Sequence, residues 1–528
     1  MAAIVSSNFR VLNAENFKTN IANSSVYVGI GKSDVWSLTT SDTTDTTPFT
    51  PNDHLDDIGE ARFNLIGLKK VVSSDIAHVI PRKTWTSGRS YVPWDSDDGA
   101  IFDKDFYIIT SEFKVYKCIK AGGGASSIQP TQTLTDPTAE SDGYVWKYMF
   151  TTSVADANKF LTNSYMPVKT VPMDTSAQVA AAVSSSTTVV LTEANPDILA
   201  GMTVSGTGIS GTPTVSAISG GTLTLSAAQT IAANVILNFT FATNSAAEAV
   251  LSEADYAQFL NQKASKASAT AQGIERIEVT APGSSYSSAP TVVITGDGTG
   301  ASATAVMAGS GTSQTVSSIT VNNKGSGYTV IDIELSGGGG SGATARGVLA
   351  PAGGHGTDPR GELGGFFISL NSKLDGNDGS DLTVGNDFRQ IILIKDPENF
   401  GTSTPASATT LKAMKYLDFV SSVNVTNYQI DELLTGGTSG AKAYVVEIDS
   451  SNGYIYYHQN SKTGYGIFQN GETITGGTST TSGALESSSA IGNPEVDRNS
   501  GEVLFLENRA PINRSATQIE DIKVILEF

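Results

Sequence analysis

The chain has 528 residues, more than one ordinary domain holds, and this length predicts two to four modules. Its 33 Lys and Arg stand against 52 Asp and Glu, a formal net charge of −19. Because nucleic-acid binding draws its affinity from clustered cations, this balance argues against nucleic acids and anionic membrane surfaces as partners. Charged residues make up only 16% of the chain, and the abundant Gly, Ser and Thr favour short β-strands joined by many turns.

Residues 1–170 are predicted to form an N-terminal scaffold domain of β-strands joined by longer loops. The segments "SVYVGIGK", "FYIITSEFKVYKCIKA" and "GYVWKYMFTT" alternate in the manner of strands, and "NAENFKTNIANS" places Phe17 and Ile21 on one face of a helix. Cys118, which has no other cysteine to pair with, is expected to be a small core residue. We expect the chain to be kept in a reducing compartment or to be exported only as part of a released particle. We expect neither a signal peptide nor a membrane span.

The segment from Ile80 to Trp94, "IPRKTWTSGRSYVPW", holds three cations and three aromatic residues in an otherwise acidic chain. Its two prolines exclude a continuous helix and its glycine favours a turn, so we expect a fixed loop. One interpretation is a loop folded onto its own domain, with Trp85 and Trp94 as core anchors. The other is a subunit interface in which Arg82 and Arg89 pair with carboxylates of a neighbouring protein, since Arg and Trp are enriched at binding hot spots.

The stretch "ESDGYVWKYMFT" places Tyr144, Trp146, Tyr148 and Phe150 at alternate positions, so a regular strand would carry all four on one face. Such a face is a platform for stacking nucleotide bases, a sugar-binding surface or part of a core. The net negative charge disfavours the nucleic-acid alternative. We therefore assign these four side chains to the core or to a subunit interface, where buried rings supply large apolar area.

Two insertions are predicted between residues 171 and 350. Residues 171–272 read as a small β-module followed by a helix over "SAAEAVLSEADYAQFLNQKASKA". Residues 273–350 form a two-copy Gly-rich β-repeat with a spacing of 42 residues. Tyr286 and Tyr328 occupy equivalent places in the two copies, and each is interpreted either as a turn-packing side chain or as a contact for glycan. Five residues of the first copy each match the residue 42 positions later in the second copy. In order, they are Ile277, Val279, Gly283, Tyr286 and Gly300 in the first copy and Ile319, Val321, Gly325, Tyr328 and Gly342 in the second.

The scaffold is predicted to continue over residues 351–428 and to end in the strands of 491–528. Between them, residues 429–490 carry a second two-copy repeat around "GGTS", in which Glu432 and Glu472 are 40 residues apart. Repeats this short cannot bury a core alone, so each pair should pack on itself or on a neighbour. The expected fold is mainly β: a multi-domain, antiparallel, β-sandwich-like scaffold with inserted Gly-rich β-repeat modules and few short helices.

The sequence contains no motif that predicts an enzyme, a cofactor site or a metal cluster. No G-x-S-x-G nucleophile elbow is present, and the four histidines are scattered without zinc-ligand spacing. "DSDDGAIFDKD" from Asp95 and "DGNDGSD" from Asp375 lack the Gly and Glu that a calcium-binding EF-hand loop requires. These acids are interpreted as solvated loop residues, and a looser calcium site stays open as the alternative.

Five segments, taken together and in order, resemble one protein family. They are "HVIPRKTW", "DGYVWKYMF" followed by "NSYMPV", "GGHGTDPRGELGG", "NDFRQI" and the closing "RNSGEVLFLENRAPINRSATQIEDIKVILEF". They resemble the baseplate wedge subunit of T-even-like contractile-tailed bacteriophages over residues 1–170, 351–428 and 491–528. The inserted repeats depart from the shorter enterobacterial form and look like the Gly-rich β-modules of phages that infect cyanobacteria.

This resemblance implies a structural virion protein without a catalytic site. It further implies that the chain dimerises, joins other wedge proteins around the tail hub and takes part in the rearrangement that triggers sheath contraction. The expected location is the tail baseplate of the virion, after assembly in the host cytoplasm. The alternative function is a host-surface binding module, in which the inserted repeats contact glycan.

Overall fold

The computed structural model describes residues 4–36, 45–195, 197–268, 272–375, 382, 384–460, 462–515 and 517–528. Antiparallel β-sheets dominate it and the helices are few and short, which confirms the predicted mainly β fold. The acidic "DGNDGSD" segment lies largely outside the described residues.

The helices are α1 Ser7–Asn23, α2 Leu55–Phe63, α3 Val154–Phe160, α4 Asn244–Glu248, α5 Glu253–Ser268, α6 Pro359–Leu363 and α7 Ser422–Val425. The strands up to residue 240 are β1 Val26–Gly31, β2 Leu65–Lys70, β3 Ile76–Pro81, β4 Tyr107–Ile109, β5 Lys114–Lys120, β6 Thr138–Ala139, β7 Val145–Thr151, β8 Tyr165–Pro167, β9 Asp174–Gln178, β10 Val183–Val190, β11 Thr203–Gly206, β12 Val215–Ser219, β13 Thr222–Ile231 and β14 Ile236–Thr240.

The next strands are β15 Ile274–Ser284, β16 Thr291–Gly296, β17 Thr299–Ala308, β18 Thr315–Ser326, β19 Ile331–Ser336, β20 Ser341–Leu349, β21 Phe367–Asp375 and β22 Asp387–Lys395. The remainder are β23 Thr410–Lys412, β24 Lys415–Asp418, β25 Leu433–Gly436, β26 Lys442–Asp449, β27 Tyr454–His458, β28 Thr473–Gly476, β29 Ser482–Ala484, β30 Ile491–Gly492, β31 Glu502–Asn513 and β32 Ile519–Glu527.

The described residues divide into two compact units. The first comprises Met1–Thr19, Ala77–Ile368 and Leu526–Phe528, and the second comprises Asn20–Ile76 and Ser369–Ile525. Each unit therefore combines segments of the predicted scaffold with predicted insertions. The first takes in residues 171–350 and the second takes in residues 429–490.

In the first unit, the segment that follows residue 170 folds as a small sandwich with its own core. Strands β10, β13 and β12 form one sheet, and β11, β14 and β9 form the other. Apolar side chains from both sheets, among them Leu223 and Phe239, join one buried cluster. The single predicted helix of this segment is two helices, because Ser252 begins a new one: its Oγ accepts a hydrogen bond from Asp255 N at 3.1 Å, which suits a helix start.

In residues 273–350, each strand of one repeat pairs with a strand of the other repeat. The first repeat supplies β15 to β17 and the second supplies β18 to β20. Strand β15 pairs with β20, β16 with β19 and β17 with β18, so these ladders join one repeat to the other. Strands β15 and β18 meet where Ile277 lies opposite Ile319, two positions that the sequence repeat also matches. The module is thus pseudo-symmetric about this contact.

The equivalent tyrosines of this module pack across the same pseudo-symmetry. Tyr286 is 2% exposed and Tyr328 is 4% exposed. An added Cβ at Gly298 would lie 2.4 Å from the ring Cγ of Tyr328, and one at Gly340 would lie 2.5 Å from that of Tyr286. Each ring therefore lies against a glycine of the other repeat, and any side chain there would displace it.

The second unit contains a five-stranded sheet in the order β23, β2, β1, β22, β31 and a seven-stranded sheet in the order β29, β28, β25, β26, β27, β24, β30. The larger sheet carries the two GGTS repeats and extends to β24, which precedes the predicted start of the insertion at residue 429. Its core combines apolar side chains from both repeats, including Leu434 and Ile474.

The two GGTS repeats hold one another through buried glutamates. Glu472 Oε2 accepts hydrogen bonds from the backbone N–H groups of Thr438 at 3.0 Å and Ser439 at 2.9 Å, and its Oε1 accepts one from Ser439 Oγ at 2.8 Å. Glu432 makes the same contacts with the other turn, including Ser479 N at 2.9 Å. Burial raises the pKa of each carboxyl, but these hydrogen bonds outweigh it and lower the pKa below its usual value.

The reciprocal glutamate contacts predict a cost for Glu472→Gln. The amide would turn an N–H donor toward backbone donors, and leaving them unpaired should cost about 1–3 kcal/mol of local stability. We expect faster hydrogen exchange for the amides of residues 430–490 at pH 7, with the exposed Glu193→Gln as the unaffected control. Equal exchange in Glu472→Gln and the unsubstituted protein would contradict the proposed role of the carboxylate.

The same contacts predict acid sensitivity in the unsubstituted protein. Since the folded-state pKa of each Glu lies below the unfolded value, the stabilisation is complete above about pH 4.3 and is lost as the pH falls through the folded-state pKa. Hydrogen exchange in residues 430–490 should accelerate, relative to its intrinsic pH dependence, across this acidic range. An exchange profile that follows the intrinsic dependence alone would contradict this assignment.

Candidate functional site

The loop from Ile80 to Trp94 belongs to the first unit, and both of its tryptophans pack on that unit. Trp85 is half-buried against the cluster of Tyr116 and Trp146, and its Nε1 donates to Ser126 Oγ at 3.2 Å. Trp94 is half-buried against a second cluster, with its ring centroid 5.8 Å from that of Phe106. Both rings therefore pack on the first unit, as side chains that anchor the loop would.

The two arginines of the loop have partners within the chain. Arg82 donates from Nη1 to the carbonyl oxygen of Thr162 at 3.0 Å. Arg89 pairs through Nη2 with the carboxylate of Asp105, yet its side chain is 53% exposed. Because exposed ion pairs contribute little to stability, Arg89 can exchange its partner at small cost, whereas Arg82 supports the backbone of its own unit.

Three aromatic residues of the predicted ladder lie on β7 and Tyr144 directly precedes it, but the four divide between two clusters. Tyr144 and Trp146 are buried in one cluster and Tyr148 packs against it, whereas Phe150 is buried in the cluster that contains Met149. The division follows from an irregular ladder: Val115 pairs with Phe150 and the next residue, Tyr116, pairs with Tyr148, so Met149 is an extra residue on β7. A β-bulge of this kind breaks the alternation that the sequence argument assumed.

A buried ion pair lies beneath Trp94. Lys117 Nζ is 2.6 Å from Glu362 Oε2 and 4.0 Å from the centroid of the Trp94 ring. The Lys117 side chain is fully buried and that of Glu362 is 5% exposed. Burial lowers the pKa of Lys117, and the carboxylate of Glu362 opposes that shift. Glu362 Oε1 also accepts from the N–H groups of Gly356 at 2.8 Å and Asp358 at 3.2 Å, so one carboxylate fixes the loop of "GGHGTDPRGELGG".

Further buried polar side chains surround this pair and line a cavity of about 190 Å³. Lys147 donates to Ser265 Oγ at 2.9 Å, which joins β7 to α5. Burial lowers the pKa of Lys147 to about 8. His355 Nε2 lies 3.5 Å from Glu275 Oε2, and burial followed by the charge of Lys117 lowers the pKa of His355 to about 4. The imidazole is therefore neutral at pH 7.

A second ionic contact joins two of the sequence motifs to α1. Glu15 Oε2 lies 2.6 Å from His78 Nε2 and also pairs with the guanidinium of Arg360. The other ring nitrogen of His78 donates to the carbonyl oxygen of Gly365 at 2.8 Å. Burial alone would raise the pKa of Glu15, but His78 and Arg360 lower it to about 2. "HVIPRKTW" and "GGHGTDPRGELGG", nearly three hundred residues apart, thus meet at one carboxylate.

The sequence argument missed Glu15, Lys117, Lys147 and Glu362. The signal available for Lys117 and Lys147 was a lysine in each of two strongly apolar strands, which is unusual unless the charge is paired. The pairing itself could not be read from the sequence, because Lys117 and Glu362 are 245 residues apart.

The acids near Asp95 are engaged by cations of the chain. Asp95 Oδ1 accepts from Arg346 Nη1 at 3.0 Å, and Asp98 pairs with Lys104 at 2.5 Å. No cluster of three or more His, Cys, Asp or Glu suited to a metal ion occurs in the part of the chain that the structure describes. Within the described ranges, no helix combines the length and the apolar character that crossing a membrane requires.

Comparison with known proteins shows that part of this sequence is similar to phage proteins. The sequence model described as "Bacteriophage T4, Gp8" matches residues 3–122, a range that contains the Ile80–Trp94 loop and Lys117. The baseplate wedge protein gp8 of Enterobacteria phage T4 is 26% identical to this chain over 202 residues. That alignment covers 31% of this chain and 60% of the T4 protein, so less than two thirds of the relative is spanned. Both matches confirm the resemblance to a baseplate wedge subunit of T4-like phages.

The buried pair predicts that Glu362→Gln destabilises the first unit by about 3–5 kcal/mol, because the ammonium of Lys117 would lose its compensating charge. Denaturant unfolding followed by tryptophan fluorescence measures this loss, since Trp85, Trp94 and Trp146 lie in the first unit. Adding Lys117→Met should recover part of the stability. The matched control is Asp98→Asn at an exposed pair, which should cost about 0–1 kcal/mol. Equal losses in Glu362→Gln and Asp98→Asn would contradict the assignment.

Proposed function

We propose that the chain is a structural subunit of the baseplate wedge of a contractile phage tail. In this role it is not an enzyme: it links neighbouring wedge proteins around the hub and moves with them in the rearrangement that triggers sheath contraction. The observation that carries the proposal is the family match over residues 3–122, which is joined by the wedge motifs of the later segments. The location that follows is the tail baseplate, reached by assembly in the host cytoplasm.

The buried network of the first unit supports a structural role. Its ionisable groups are engaged by other parts of the chain: Lys117 by Glu362, Lys147 by Ser265, and Glu15 by His78 and Arg360. Charges paired in this manner fix distant segments of chain against one another, which a subunit that transmits force requires. The contacts are those of a rigid building block.

Partners are proposed to be a second copy of the chain and other wedge proteins. The surface that we propose for contact is the Ile80–Trp94 loop around Arg89, because this loop carries an exposed guanidinium and the half-buried ring of Trp85. Arg at a partly desolvated surface makes bidentate contacts with carboxylates and is enriched at hot spots. Glycan binding through Tyr286 and Tyr328 is disfavoured, because both rings are buried between the repeats.

The proposal predicts that Arg89→Glu leaves the protein folded and blocks its incorporation into baseplates. Charge reversal replaces the ion pair with Asp105 by a repulsion, but the Arg89 side chain is 53% exposed, so solvent screening keeps the cost to stability small. The experiment is to supply the variant to a phage that lacks its own copy and to count complete tails by electron microscopy, with circular dichroism as the test of folding.

The matched control for this experiment is Lys266→Glu, which changes the charge equally at a side chain that is 49% exposed and pairs with Asp174. Complete tails at normal frequency with Arg89→Glu would contradict the proposed interface. Loss of tails with both variants would show that added negative charge, rather than the loop, is responsible.

A further inference from the structure

A cleft of about 640 Å³ in the second unit has a lining of unusual composition. Trp36, Phe63 and Tyr465 supply three aromatic rings, and the other lining residues are charged, amide-bearing or glycine. Leu, Ile, Val, Met and Ala do not occur among them. The volume lies within the range of ligand pockets, about 300–1,000 Å³. The apolar side chains of this lining are therefore all aromatic.

Tyr465 is the most accessible of the three aromatic rings at the cleft. Tyr465 is 61% exposed and Phe63 is 38% exposed, and their rings meet edge to face with centroids 5.4 Å apart. Trp36 holds its position through Nε1, which donates to the carbonyl oxygen of Arg509 at 2.9 Å. The face of an aromatic ring carries partial negative charge and attracts C–H groups that carry partial positive charge, as those of a sugar ring do.

The polar groups of the cleft are engaged with one another to different degrees. Asn460 Nδ2 donates to Asp34 Oδ2 at 3.1 Å, whereas the other contacts are longer. Lys32 Nζ lies 3.4 Å from both Asp34 Oδ1 and Glu60 Oε1, and Asn64 Nδ2 is also 3.4 Å from Glu60 Oε1. These distances are at the long end of the hydrogen-bonding range. Asp34 Oδ1 is buried and accepts no hydrogen bond from the described residues. Hydroxyl groups, which both donate and accept, fit such carboxylate and amide atoms.

The backbone at the base of the cleft is strained. Lys32 has a φ of 62°, in the left-handed region that a residue with a side chain rarely adopts, and its side chain is 9% exposed. Such a conformation persists only where the surrounding structure fixes it, and strained residues cluster at ligand-binding and other functional sites. Asp34 and Asn460 also line a neighbouring cleft of about 450 Å³. The polar surface therefore extends beyond the first cleft.

We propose that this cleft binds a neutral oligosaccharide, which would give a wedge subunit a second function in contacting the host surface. The one cation and two carboxylates of the lining leave a net negative charge, which disfavours acidic sugars. Aromatic rings beside amide and carboxylate groups, as in this lining, suit a sugar, which presents C–H faces and hydroxyl groups together. The proposal does not depend on the wedge assignment, since the cleft could bind sugar in any virion protein.

The test begins with the purified full-length protein on a printed array of neutral and acidic oligosaccharides. We expect at least one neutral glycan to be retained and the acidic ones to be excluded. Calorimetric titration with the strongest neutral glycan should then show affinity reduced about tenfold or more by Tyr465→Ala, because the exposed ring face is lost. Tyr465→Phe should bind like the unsubstituted protein.

The matched control is Ile467→Ala, at an equally prominent side chain that is 79% exposed and does not line the cleft. It should leave binding unchanged. Asp34→Asn provides a second variant at the polar end and should also weaken binding. Retention of no neutral glycan, retention of acidic glycans alone, or full affinity of Tyr465→Ala would overturn the proposal. If Tyr465→Ala instead abolished capture of another baseplate protein while no glycan bound, the cleft would be a protein interface.

Discussion

A buried ammonium group is stable only beside a compensating charge, and in the first unit this requirement fixes where distant segments of chain lie. Lys117 projects from β5 into the core and meets Glu362, which comes 245 residues later. The same carboxylate accepts the N–H groups of Gly356 and Asp358 and so shapes the loop before α6. Above the pair lies the Trp94 ring, at the end of the candidate interface loop. The position of that loop therefore depends on a contact that is itself hidden from solvent.

The two pairs of repeats also depend on contacts between residues far apart in the sequence. In one module, β15 pairs with β20 and each tyrosine packs on a glycine of the other copy. In the other, Glu432 and Glu472 each accept hydrogen bonds from the turn of the other copy. A repeat that relies on its partner for strand pairing and for turn contacts cannot fold alone, which explains why each occurs in pairs. Pseudo-symmetry is the physical consequence.

Local sequence patterns predicted much of the fold but little of the candidate functional site. Alternating segments predicted the strands, and helical spacing predicted the helix near Tyr256, although the capping contact at Ser252 divides it. The spacing of the repeats could be read from the sequence. The pairing of strands between the two copies could not, because tertiary packing determines which strands pair. The prediction that the aromatic residues around Trp146 share one face assumed a regular strand. A one-residue bulge at Met149 places Phe150 in another cluster. The ionic contacts of Glu362 join residues far apart in sequence, so no local signal identifies them.

The central claim, that this chain is a wedge subunit whose Ile80–Trp94 loop meets a neighbour, is tested most directly by an electron-microscopy map of the intact tail. The account predicts density for the chain in the baseplate, around the hub, with Arg89 within ion-pair distance of a carboxylate from an adjacent subunit. Density for the chain outside the baseplate, or a baseplate in which the whole loop faces solvent, would contradict it.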